Sequence, residues 1–149
     1  MSDHPRCQLP LPLPEEEDLR LVLRIMRRMA AHGLRDAQAA LLAIDGFGHG
    51  FRRPLVLLRA FVAELAQCSR RRITVAPSCA LRMTMDEARL IGVLATASHN
   101  PDCARAHLRI LADRHDVCHP LSAALAIASA LGDLGRPLPR LNRAQCVPD

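Results

Sequence analysis

The stretch PEEEDLRLVLRIMRRMAAHG, Pro14 to Gly33, decides the fold class. Pro14 supplies a backbone angle suited to a first helical turn. Glu15, Glu16, Glu17 and Asp18 follow where carboxylates complement the positive end of a helix dipole. Arg27, Arg28 and His32 stand near the other end, and Gly33 occupies a helix-ending position. Between these signals Leu21, Val22, Ile25, Met26 and Met29 share one face at a period of about 3.6 residues, and Arg20, Arg24, Arg27 and Arg28 share the other. Such a helix needs an apolar partner for one side, while its arginine side reads as solvated.

The same punctuation recurs toward the C-terminus. Asp36 caps a short second helix through about Ile44, which ends at Gly46-Phe47-Gly48-His49-Gly50-Phe51. Pro54 opens a third, with Leu58, Phe61, Leu65 and Cys68 as its core stripe. Arg70 to Met83 lacks helical period and reads as a packed loop with a short extended piece at Ile73-Thr74-Val75. Thr84-Met85-Asp86-Glu87 is a capping box, in which the Thr hydroxyl accepts from the amide of the third helical residue and the Glu side chain reaches back. It opens a fourth helix to about Ser98. Asn100-Pro101 opens a fifth to about His115, and His119-Pro120 a sixth to Leu134, with Gly135 beyond. The expected fold is therefore all-α, a compact single-domain bundle of about six helices over residues 14–135. Residues 1–13 read as a flexible Pro-rich tail and 136–149 as a frayed C-terminal tail.

Composition supports this reading. The 149 residues suit one domain, and with half of them apolar and 23% charged the chain can build a core. The only aromatic residues are Phe47, Phe51 and Phe61, so the interior is aliphatic. Every residue in the Lys+Arg count of 20 is Arg, and the net charge of +5 suits an acidic partner. Nucleic acid is not favoured, because no basic run is interleaved with aromatic stacking residues and no helix-turn-helix pattern is legible. The N-terminus has no signal-peptide pattern, and no apolar run approaches the roughly 20 residues of a membrane helix. A cytoplasmic protein with reduced cysteines is expected. The irregular spacing of Cys7, Cys68, Cys79, Cys103, Cys118 and Cys146 supports neither a disulfide framework nor a zinc ribbon.

Four groups of residues are chemical candidates. Gly46 to Pro54, with Arg52 and Arg53, has the ingredients of an anion site at a helix start, although glycines also permit a plain turn. Cys103 and His107 share the apolar face of the fifth helix, where His99, His115, Cys118, His119 or Cys79 would have to complete a metal set; packed core residues are the simpler reading. Cys79, in a loop among arginines, is the reactive-thiol candidate. Arg70, Arg71 and Arg72 form an outward basic run suited to an acidic surface. No catalytic residue or cofactor is assigned.

The segments RRMAAHGLRDAQAA (Arg27 to Ala40), GFGHGFRRPLVLLRAFVAEL (Gly46 to Leu65), RRRITVAPSCALRMTMDEA (Arg70 to Ala88) and GDLGRPL (Gly132 to Leu138) resemble a family of short, uncharacterised alphaproteobacterial helical proteins grouped as a domain of unknown function. The resemblance implies a bacterial cytoplasmic protein and brings no substrate or catalytic residue with it. The functional expectation is a small helical interaction or regulatory protein, without catalysis, that binds an acidic protein surface through arginines; homo-oligomerisation is compatible. A metal- or thiol-based sensor using Cys103, His107 and Cys79 is one alternative. An anion-binding module or small enzyme at Gly46 to Pro54 is another.

Overall fold

An aliphatic core of Leu, Ile, Val, Met and Ala needs helices that each present a stripe, and six do so in the computed structural model, which describes residues 11–140. They are α1 (Glu17–His32), α2 (Ala37–Phe47), α3 (Arg52–Cys68), α4 (Met85–Thr96), α5 (Pro101–Ala112) and α6 (Cys118–Asp133). The chain is an all-α bundle, as expected. Its most extensive pairings are α3 with α6, α4 with α5 and α1 with α2. α4 is the central element: Leu90, Ile91, Gly92, Val93, Leu94 and Ala95 are all buried, so it shows no solvent stripe there.

Local signals set most boundaries. The Asp36 carboxylate accepts from the Ala39 amide at 2.9 Å and from two nitrogens of Arg28 at 2.9 and 3.1 Å, which locks the α1–α2 turn. Asn100 accepts from the Cys103 amide at 3.3 Å, with Pro101 at the first position of α5. The glycine segment after α2 differs from the loop expected there. α2 continues to Phe47, a 3-10 turn spans Gly48–Gly50, and α3 begins at Arg52. Pro54 lies within the first turn of α3, where an amide has no intrahelical acceptor to lose. Gly46 lets α2 approach α1 closely, since a β-carbon there would meet the Leu21 side chain, which would have to move aside.

Both supposed tails are docked where they are described. Leu11–Pro12 (β1) pairs antiparallel with Arg82–Met83 (β2), and Leu11 and Leu13 pack on the core. The extended piece expected at Ile73 to Val75 forms instead at Arg82–Met83. At the other end the Arg136 guanidinium donates to the Gly46 carbonyl, lies 2.7 Å from Asp18 and stacks 5.6 Å from the Phe47 ring centre. Leu138 packs against the core. Cys7, Cys146 and the rest of both tails lie outside the described residues.

Candidate functional site

The segment 69–84 between α3 and α4 is long, lacks repeating hydrogen bonds, and must satisfy its backbone in other ways. Two adjacent carboxylates at the start of α4 do this. Thr84 and Glu87 form the expected capping box: the Glu87 amide donates to Thr84 Oγ1 at 3.0 Å, and the Thr84 amide donates to Glu87 Oε2 at 3.0 Å. Glu87 has a second task that the capping pattern does not announce. Its Oε1 accepts from Arg27 Nε at 2.8 Å and from the Ala76 amide at 2.9 Å, and its Oε2 also accepts from an Arg27 terminal nitrogen at 3.0 Å. Each carboxylate oxygen thus takes two donors, which fills its capacity.

Arg27 corrects the sequence reading that placed it on the solvated face of α1. Its side chain is 1% exposed and that of Glu87 is 0% exposed. It also donates to the carbonyls of Ala80 and Arg82, each at 2.8 Å. The loop covers the flank of α1 that carries Arg27, so the buried arc of this helix is wider than one apolar stripe. A buried ion pair is a poor source of net stability, because desolvation offsets the attraction. Here its consequence is geometric: one guanidinium and one carboxylate fix four backbone groups of the loop.

Asp86 repeats the device nearer the surface. It accepts two hydrogen bonds from Arg71 and one, at 2.8 Å, from the Thr74 amide. Arg71 Nε donates to the Ile110 carbonyl at 3.1 Å, and the Arg70 amide donates to the Ala112 carbonyl at 2.8 Å, tying the loop to the electronegative end of α5. The run Arg70 to Arg72 is therefore not uniform. Arg71 is half-buried and structural, a correction to its expected place on a binding face. Arg70 and Arg72 are exposed, and among the described residues their guanidinium groups have no hydrogen-bond or ion-pair partner.

Beside this clamped loop lies a cavity of about 290 Å³ that opens to solvent. Met26 of α1, Phe61, Val62 and Leu65 of α3, Ile73 of the loop and Leu90 of α4 give it an apolar interior. Ser69 and Arg71 supply its polar wall. A groove of about 660 Å³ adjoins it, shares Ala30, Ile73 and Val75 with it, and includes Arg72 in its lining.

The remaining candidates lie apart. Arg53 pairs with Asp133 at 2.6 Å, both well exposed, and Arg52 sits 6.0 Å from the Phe51 ring centre. The Gly48 and Phe51 amides close turns onto the Ile44 and Gly48 carbonyls. This segment forms the turn between α2 and α3, Arg53 ties it to α6, and Arg52 lies against Phe51, so the two guanidinium groups engage different partners. Cys79 is exposed at the tip of the loop. Cys103 and His107 lie on the inward face of α5, as the periodicity implies, and both are buried. Among the described residues no three His, Cys, Asp or Glu side chains are grouped to hold a metal ion.

His107 packs against Gly92 of α4, where a β-carbon would lie 3.1 Å from its Nε2, and among the described residues neither ring nitrogen has a hydrogen-bond partner. Burial, and then the charge of Arg89, pushes its pKa below the ordinary value of 6.5. Cys118 is exposed, but its hydrogen bond to Asp116, helped by local desolvation and the Asp116 charge, pushes its thiol pKa up.

These observations define a class: a six-helix protein whose aperiodic loop, held by two neighbouring carboxylates, carries an arginine edge beside an apolar cavity. The chain belongs to the family described as Family of unknown function (DUF6628), whose profile covers residues 1–143. No curated protein and no solved structure matches it.

Proposed function

We propose that this chain is a small interaction or regulatory protein of the bacterial cytoplasm that binds an acidic protein segment along the 69–77 edge, with Arg70 and Arg72 as its contacts. One observation carries the reading. The fold uses Arg27 and Arg71 to immobilise the loop and leaves the cations on either side of Arg71 exposed and, among the described residues, unpaired. A rigid loop presents charges at a low entropic cost of binding, and guanidinium groups recognise carboxylates bidentately. The groove lined by Arg72, Thr74 and Pro77 provides the adjoining track. No helix among the described residues is long and apolar enough to cross a membrane.

The test is capture from native-cell extract by the immobilised wild type and by an Arg70→Glu/Arg72→Glu variant, after nuclease treatment. A protein with acidic segments that is retained by the wild type, lost from the variant and eluted by moderate salt supports the reading, because exposed charges are screened beyond about 8–10 Å at such ionic strength. Equal recovery by both forms refutes it. Retention abolished by nuclease refutes a protein partner in favour of nucleic acid.

A further inference from the structure

The clamped segment uses only one side of its backbone. Residues 72–77 contain no helix, turn or bend, and Ile73 and Val75 both line the apolar cavity, which is the two-residue repeat of an extended chain. In such a chain the N–H and C=O of one residue point to the same side, and those of the next residue to the other. Thr74 turns both groups toward the start of α4: its amide donates to Asp86 at 2.8 Å and its carbonyl accepts from Thr84 Oγ1 at 2.8 Å. The Ala76 amide follows the same direction, to Glu87 at 2.9 Å. Ile73 and Val75 therefore direct their amides and carbonyls to the opposite side, where among the described residues no hydrogen bond meets them. Two carboxylates and a hydroxyl stand in for a neighbouring strand on one side of the segment, and the other side is an open edge. The groove of about 660 Å³ is bounded by every residue from Arg72 to Pro77 and by Ala30 and Ala31 of α1.

We propose that the acidic segment of a partner protein binds in this groove as an added strand, through main-chain hydrogen bonds to Ile73 and Val75. The proposal rests on the acidic-partner reading and gives it a geometry. Six extended residues span about 17 Å, and the two open residues offer two donors and two acceptors, so about five partner residues fill the edge. Pairing also sets the partner's sequence. Residues opposite Ile73 and Val75 turn their side chains to the apolar cavity side, and the residues next to them share the exposed face of Arg72 and Thr74. The motif is therefore alternating: two apolar residues two positions apart, flanked by an Asp or Glu that meets Arg72, with Arg70 beyond it. A second copy of this chain is a poorer occupant, since pairing edge to edge would set arginines against arginines.

NMR titration of the full chain with acetyl-Glu-Val-Thr-Val-Glu-amide and with its scramble acetyl-Val-Val-Thr-Glu-Glu-amide tests the mode. The alternating peptide should bind saturably and at least about tenfold more tightly, because the scramble can bury only one of its two Val side chains. Amide exchange at Ile73 and Val75 should be fast in the free chain and at least about tenfold slower at saturation, while Thr74 and Ala76 stay protected throughout. N-methylation of alternate peptide amides should divide them: one parity weakens binding about three- to tenfold, the worth of one hydrogen bond, and the other leaves it within about twofold. Arg70→Glu/Arg72→Glu should weaken the alternating peptide more than about tenfold. Both peptides binding alike, and both lost in that variant, would leave the acidic-partner reading standing and overturn the added strand. Undiminished binding of the alternating peptide by the variant refutes the reading and the proposal together. No saturable binding, equal effects of both methylated parities, or protection of Ile73 and Val75 that grows with protein concentration alone, as a second copy would give, also overturns the proposal.

Discussion

Replacing Glu87 with Gln keeps the size and shape of the side chain and removes its charge. In the wild type both carboxylate oxygens are saturated, by Arg27 twice, Ala76 and Thr84. The amide that replaces one oxygen turns two acceptor contacts into donor–donor clashes. It also leaves the Arg27 guanidinium, 1% exposed, without a counter-charge. Breaking a buried pair from one side costs about 3–5 kcal/mol. Against a typical domain stability of about 5–15 kcal/mol, this is a large fraction of the total. Urea unfolding followed by far-UV circular dichroism measures it, since the chain has no Trp or Tyr for fluorescence. Replacing both partners, as Arg27→Met/Glu87→Met, should cost less than the sum of the two single changes, because no charge is then stranded. A Glu87→Gln loss below about 1 kcal/mol, or strict additivity in the double variant, refutes the clamp.

Three further outcomes follow from particular residues. Folding excludes the proton that His107 takes up near pH 6.5 in the unfolded chain, so the stability present above that pH should fall as pH drops from about 6.5 toward the lowered folded value, by at most about 1.4 kcal/mol per pH unit; unfolding at stepped pH should show this slope reduced in His107→Phe. Cys79 should alkylate faster than Cys118, although both are exposed, because Asp116 holds the Cys118 thiol protonated, and slower labelling of Cys79 in a mass-mapped time course would contradict this. Phe61→Ala should destabilise by about 3–5 kcal/mol in the same urea assay, since the fully buried ring borders a cavity that the deletion would enlarge.

The parts of this molecule that are local were legible in its sequence. Leu58, Phe61 and Leu65 are core because period alone places them on one side of α3, and the Thr84–Glu87 box needs only four consecutive residues to be recognised. Sequence alone puts Arg27 in solvent because its partner is 60 residues away, and a helical wheel assigns a charge to solvent unless a loop is known to cover it. Arg71 is indistinguishable from Arg70 and Arg72 in sequence for the same reason: Asp86 and the Ile110 carbonyl come near it only through tertiary folding. Pro-rich and aperiodic segments read as tails, yet β1 and Arg136 dock onto surfaces built by distant elements. The cavity had no signal in the sequence, since α1, α3, α4 and the loop each contribute a few of its residues.

Both the arginine edge and the cavity require the 69–84 segment to be held rigidly by Asp86 and Glu87. Amide hydrogen exchange at Thr74, Ala76 and Thr84 tests that requirement directly, because these amides donate to the two carboxylates rather than to any helix or sheet. The account predicts that all three exchange nearly as slowly as the core of α4 in the wild type, and that Ala76 and Thr84 speed up by orders of magnitude in Glu87→Gln while the α3 core stays protected. Exchange of these amides in the wild type at the rate of an unstructured peptide would contradict it.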